Sequence, residues 1–242
     1  SAFPFEPAKL DAVLLTHAHV DHSGLLPKLV LAGFDRAIHA TQGTVELCRS
    51  LLPDSGAIQE MEVDALNRRR ERRGEARVAP MFTRKDAEAC MERFQGVDLN
   101  AWIEVAPGVR ARWWDAGHIL GSASIEVEVE DEGETQRIVF SGDLGPGGRD
   151  FANDPVGPVD VDHIVLESTY GGVERAEVGA EERRAALARE LLAAHAAGGP
   201  LLIPAFAVER TQELLVDLLE IMEAGAAPRV HQTAYIVTRP HK

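Results

Sequence analysis

The stretch VLLTHAHVDHSG, residues 13–24, constrains this chain more than any other. An apolar run ends in three histidines and an aspartate packed into six positions: His17, His19, Asp21 and His22. LDAVLLTH (10–17) has the length and apolar content of a short buried strand, so the cluster stands at the strand's mouth. On an extended backbone His17 and His19 face the same side. The turn that follows swings Asp21 and His22 toward a neighbouring point. Neutral imidazoles and carboxylates are the donors that borderline divalent ions such as zinc take. One stretch therefore offers ligands to two metals. A single histidine at a strand end is an ordinary loop residue; three with an interposed aspartate are a metal-binding pattern.

A metal site that keeps a position open for water needs donors from elsewhere in the chain. DAGHILGSAS (115–124) sets His118 between strands, flanked by Gly117 and Gly121, which permit close backbone approach. FSGDLG (140–145) sets Asp143 at the end of a buried strand, again between glycines. Each motif is weak alone. Both lie at strand ends, as the first cluster does, and together they complete a set of metal donors.

The rest of the chain reads as alternating strands and helices, hence as an α/β fold with layered helices and sheet. The patterning predicts a helix at 23–33 with Ser23 as N-cap, a second at 42–52, and a third from about 55 to 73. A fourth covers 83–94, with Thr83 and Asp86 at capping-box spacing. Strands follow at 102–105, 109–115, 122–130 and 136–142, then a buried strand at 163–169. Beyond it come a helix at 180–197, a strand at 200–204, a helix at 207–224 and a strand near 229–237. A boundary between two units falls in GGVERAEV, with a first domain over 1–174 and a second over 175–242.

Composition narrows the function classes. The 242 residues are 45% hydrophobic and 26% charged, ordinary for a globular chain. A net charge of −14 repels a polyanion, so a nucleic-acid substrate would need a local basic patch or site metals. The one dense basic run, NRRRERR (67–73), with Glu71 inside it and Glu75 just beyond, reads as a solvated helix face, with contact to phosphates as the alternative. Cys48 and Cys90 form no CxxC pair and suit a reducing, cytoplasmic setting. No apolar run reaches the ~18 residues of a membrane span, and the start has the features of neither a signal peptide nor an initiator. The chain reads as an excerpt of a longer one. His39 and His163 read as structural, and of Trp113 and Trp114 one faces the core and the other packs between layers.

HxHxDH followed by His118 and Asp143 resembles the metallo-β-lactamase superfamily. That resemblance implies a four-layer αββα sandwich, here partial, with His17, His19 and His118 on one metal and Asp21 and His22 on a second. Asp143 would bridge the two. It also implies two Zn2+ ions, with Mn2+ as the alternative, a zinc-activated hydroxide as nucleophile, and Asp21 orienting it. LESTYGG (166–172), IPAFAVERTQELL (203–215) and the GHILGSAS form around His118 are similar to the β-CASP nucleases, the branch that includes ribonuclease J and the 3′-end-processing endonuclease of pre-mRNA. There Glu167 matches a carboxylate motif that supports the site's geometry, and residues 175–242 would begin an α/β β-CASP domain. The implied substrate is RNA, with single-stranded DNA the alternative; no membrane partner is implied, and self-association into a homo-oligomer is left open. Glu209 stands where relatives have glycine, and neither His231 nor His241 matches the family's later histidine motifs. Two other functions stay open at this point: a hydrolase of small esters or lactams on the same fold, and a catalytically silent scaffold subunit of a nuclease complex.

Overall fold

The structure, a computed structural model, describes residues 3–148, 152–174, 178–199, 201–206 and 208–227. Two compact units form: residues 1–146 with 154–167, and residues 147–153 with 168–242. The chain leaves the first unit after Pro146, returns to it at Asp154, and leaves it again after Glu167, a few residues before the GGVERAEV boundary read from composition.

The first unit is built on two sheets. Strands β1 (Ala12–Leu14), β2 (Ala37–Thr41) and β3 (Phe94–Val97) lie parallel in the order β1-β2-β3. Strands β4 (Ile103–Ala106), β5 (Val109–Asp115), β6 (Ala123–Asp131), β7 (Glu134–Phe140) and β8 (His163–Val165) follow one another in space, antiparallel except for the parallel pair β7–β8. Alternation along β5 and β6 sends Ala111, Trp113, Ala123, Ile125 and Val127 inward, where they meet Leu14 of β1 and Val97 of β3. Trp113 is fully buried, and its indole N–H donates to the Leu15 carbonyl across the sandwich at 3.3 Å. This one side chain ties the strand bearing the histidine cluster to the sheet that carries His118 and Asp143.

On β2, His39 faces Trp113, with ring centroids 6.4 Å apart. Its neighbours Ile38 and Ala40 therefore point to the other face, where α3 (Gln42–Glu71) and α4 (Arg84–Cys90) pack together. Two short helices, α1 (Val20–Ser23) and α2 (Leu26–Leu31), join β1 to β2. Thr83 and Asp86 form the expected capping box at the start of α4. The second unit contains α5 (Ala180–Ala197) and α6 (Arg210–Glu223), joined by ion pairs from Arg183 and Arg184 to Asp217 at 2.7 and 2.9 Å.

Several local expectations differ from what forms. Residues 42–71 are one helix, not two: Pro53 lies inside it, and Gly56 serves packing rather than a break. A Cβ at Gly56 would come within 2.6 Å of the Arg84 nitrogen, so glycine is what lets α4 start against α3. Ser23 is not an N-cap. It closes α1, its hydroxyl donating to the Ala18 and His19 carbonyls at 2.8 and 3.0 Å, and the helical segment restarts at Leu26. The strand read as buried over 163–169 is the three-residue edge strand β8, with exposed side chains. Residues 201–206 form no strand, and the strand near 229–237 lies outside the described residues. Trp114 points to the outer face of the five-stranded sheet, and its indole donates to the buried Glu126 at 2.8 Å. Along NRRRERR, Asn67 is buried and holds both the N–H and the carbonyl of Val78 at 2.9 Å.

Candidate metal centre

Three loops at one end of the sandwich bring the sequence motifs together. After β1 the chain stays extended through His17 and His19, then turns into α1, which carries Asp21 and His22. The β5–β6 loop presents His118, and the loop after β7 presents Asp143. One donor atom from each of His17, His19, His118 and Asp143 lies within 4.8 Å of the others.

Inside that group, His19 Nδ1 is 3.1 Å from His17 Nε2 and 3.2 Å from His118 Nε2. A ring nitrogen presents either a proton or a lone pair, so of three facing nitrogens at least two present the same thing. Imidazoles alone cannot satisfy such a trio. A divalent cation can, because it takes three lone pairs at once. With metal–nitrogen bonds of about 2.0–2.1 Å, tetrahedral donors stand roughly 3.3 Å apart, close to the spacing found. The residues therefore fit a divalent metal.

The carboxylate of Asp143 faces two ways. Its Oδ2 is 3.8 Å from His17 Nε2 and 3.5 Å from His118 Nε2, while Oδ1 is 3.3 Å from His22 Nε2. Asp21 approaches the same His22 Nε2 at 3.7 Å, with a side chain 77% exposed. Six residues named from sequence are thus arranged as a group of four with a neighbouring pair, and Asp143 lies between.

Burial and the nearby rings of His22, His19 and His118 lower the His17 imidazolium to about 2. Burial also lowers His19, against the pull of Asp21 and Asp143. Both rings are therefore neutral around pH 7, the form that ligates metal. The Thr16 hydroxyl is 3.1 Å from His17 Nδ1. With the ring proton on Nδ1 and donated to Thr16, the Nε2 lone pair turns to the cluster.

Glu167 belongs to the same end of the fold. Its carboxylate accepts from the Leu144 N–H at 3.3 Å, and its own N–H donates to the Ser141 hydroxyl at 2.9 Å. It thus braces both sides of Asp143. The Glu167 carboxylate meets the backbone of the Asp143 loop.

Four residues that the motif reading did not single out shape the site. Ser122 holds the His118 loop, Thr16 orients His17, and Thr41 and Thr44 reach the same loop from α3. The serine of GHILGS was a visible signal, being a polar residue after a turn glycine. Thr41 and Thr44 had none, since their partner Gly121 lies 77 or more residues away.

The model of the metallo-β-lactamase superfamily matches residues 2–194, and the chain belongs to that family. Among its relatives is a protein named Ribonuclease TTHA0252 from Thermus thermophilus, 34% identical over 216 residues, which cover 89% of this chain and 44% of that protein. Transcription termination factor FttA from Methanothermobacter thermautotrophicus is 31% identical over 229 residues, covering 91% of this chain and 32% of that one. An Integrator complex subunit 11 homolog from Dictyostelium discoideum is 31% identical over 224 residues, covering 90% and 28%. The chain spans less than half the length of each of these relatives. Among the described residues, no helix is long and apolar enough to cross a membrane.

Proposed function

We propose that this chain carries the metal centre of a β-CASP nuclease, a zinc-dependent hydrolase of phosphodiester bonds whose substrate is RNA. The observation that carries this reading is the convergence of His17 Nε2, His19 Nδ1 and His118 Nε2, with Asp143 turned both to them and to His22. The names of the relatives, one of them a ribonuclease, support the nuclease branch, as do LESTYGG and RTQELL. In this reading residues 1–174 are the metallo-β-lactamase-like domain and 175–242 the beginning of a β-CASP domain. The two buried free cysteines suit a cytoplasmic protein.

His17, His19 and His118 would hold one ion, Asp21 and His22 the other, with Asp143 shared. Two zinc ions, or manganese in their place, would supply Lewis acidity toward the scissile phosphate and lower the pKa of water there. The chain's own residues do the rest. Neutral His17 and His19 keep their lone pairs available at working pH. Asp21, exposed beside His22, would accept a proton from an attacking water and orient it. Glu167, through the Leu144 N–H, fixes the loop that carries Asp143. Metals at the site would also offset the repulsion between a polyanionic substrate and a chain of net charge −14.

Cleavage of a single-stranded RNA, measured with and without a chelator and with Asp21→Ala, tests this. Loss of cleavage in both cases is expected. Cleavage that survives Asp21→Ala, or a chain that binds no metal, refutes it. Lost RNA cleavage with retained hydrolysis of a thioester or β-lactam substrate would move the function to small molecules.

A further inference from the structure

The loop that carries His118 is anchored from a direction the motifs do not announce. The carbonyl of Gly121 accepts two hydroxyl hydrogen bonds, one from Thr44 at 2.8 Å and one from Thr41. Both threonines are buried, and both belong to the start of α3: Thr41 is its N-cap and accepts from the Thr44 N–H at 3.3 Å. The backbones touch there as well. A Cβ on Gly43 would lie 2.9 Å from the Gly121 Cα, and one on Gly121 would lie 2.4 Å from the Thr44 nitrogen. Gly121 also has φ +77°, a conformation that favours glycine. The segment TQGT (41–44) thus grips one carbonyl with two hydroxyls and leaves no room for a side chain between.

From Gly121 the grip passes to His118 within one turn of chain. The Ser122 hydroxyl accepts from the N–H groups of His118 and Ile119 at 2.9 and 3.1 Å. Ser122 in turn donates its N–H to Ile119, and Ala123 donates to Thr16, next to His17. The other side of the loop rests on the Asp143 loop, where the Gly145 N–H donates to Ala116 at 2.8 Å. The backbone at His118 is therefore held between α3 and the strand ends, with its ring Nε2 3.2 Å from His19 Nδ1 and 3.5 Å from Asp143 Oδ2.

We infer that Thr41 and Thr44 are positioning residues of the metal centre: their shared hydrogen bonds to Gly121 set the place of His118, and through it the affinity of the site for a divalent ion. The inference rests on the reading of the cluster as a metal centre. Groups that orient ligands from behind typically change metal affinity by about 10- to 100-fold.

Thr44→Val removes the hydroxyl with almost no change of volume, and Thr44→Ser restores it. Zn2+ affinity is measured by competition with a chromogenic chelator, and site geometry by the visible absorption of the Co2+ form. Thr44→Val is expected to weaken Zn2+ binding by about tenfold or more and to change the Co2+ spectrum, with Thr44→Ser close to the unaltered chain. In a His118→Ala background Thr44→Val should have no further effect on affinity, because it acts through that ligand. Should Thr44→Val not fold, Ser122→Ala breaks the same anchor at its other end and is expected to weaken binding likewise. A Thr44→Val chain that melts earlier but binds Zn2+ with unchanged affinity and spectrum overturns the inference, since the threonines are then only structural. If the unaltered chain binds no metal, the metal-centre reading itself fails and takes this inference with it.

Discussion

Replacing Glu126 with glutamine is expected to destabilise the first unit far more than any other single loss of a surface-strand charge. Glu126 is fully buried on the outer face of β6. Its Oε2 accepts from Arg112 at 3.0 and 2.7 Å and from the Trp114 indole at 2.8 Å, and its Oε1 accepts from Arg137 at 2.8 Å. Arg112 and Trp114 lie on β5 and Arg137 on β7, so one carboxylate ties together the three strands whose ends deliver His118 and Asp143. Breaking a buried ion pair costs about 3–5 kcal/mol because the partner charge is stranded. Here the arginine side chains keep 20% and 28% exposure and can partly rehydrate, which reduces the expected loss to about 2–3 kcal/mol. At roughly 2–4 °C per kcal/mol for a domain of this size, Tm falls by about 5–10 °C. Glu128→Gln is the internal control. It lies two residues along the same strand, but its partner Arg110 is half-exposed, and surface pairs of this kind contribute little to stability.

The same carboxylate gives the comparison a pH signature. Burial raises the Glu126 pKa, but hydrogen bonds from Arg112, Trp114 and Arg137 outweigh it and hold the group below its ordinary value. A folded-state pKa below the unfolded one stabilises above the unfolded value, about 4.3, and that contribution disappears as pH falls toward the folded value. The difference in stability between the unaltered chain and Glu126→Gln should therefore be full at pH 7 and shrink below about pH 4. Denaturant melts at both pH values measure it. A Glu126→Gln loss no larger than that of Glu128→Gln, or one independent of pH, refutes the reasoning.

Two other outcomes are expected. Burial lifts the Cys48 and Cys90 thiols to about 12, so a disulfide reagent at pH 8 should label neither in the folded chain and both after denaturation; prompt labelling of either contradicts the packing of α3 on α4. Glu209 has φ +66° at the start of α6, and Glu209→Gly should relieve that backbone and stabilise the second unit by about 1 kcal/mol, whereas a destabilising effect in denaturant melts would contradict it.

The parts of this molecule that were legible in its sequence are those whose chemistry is local. His17, His19, Asp21 and His22 are four donors in one short stretch, and a strand followed by a turn leaves them few places to point. His118 and Asp143 were readable because each sits between glycines at a strand end. The capping box at Thr83 and the alternation of β5 and β6 were equally local. What could not be read depends on distant chain. Gly56 looks like an ordinary helix position until the Arg84 nitrogen is seen to lie where its Cβ would be. Thr41 and Thr44 look like an ordinary helix start until the Gly121 carbonyl arrives from a loop between two other strands. The apolar residues of β8 imply burial, yet the strand takes the edge of its sheet, so the composition of HIVLEST said more about β-propensity than about position. Glu126 belongs to the same class: its alternation with Ile125 and Val127 marks an outward residue, and only the arrival of Arg112 and Arg137 from both flanking strands explains its complete burial.

The central claim is that the rings of His17, His19 and His118, with Asp143, Asp21 and His22, form a dinuclear metal centre. Its most direct test is the metal content of the chelator-stripped chain after equilibrium dialysis against Zn2+, determined by elemental mass spectrometry for the unaltered chain, His19→Ala, His22→Ala and His163→Ala. The account predicts two ions per chain, loss of one in His19→Ala and of the other in His22→Ala, and no change in His163→Ala. Metal content indistinguishable among all four chains, or none bound by the unaltered one, would contradict it.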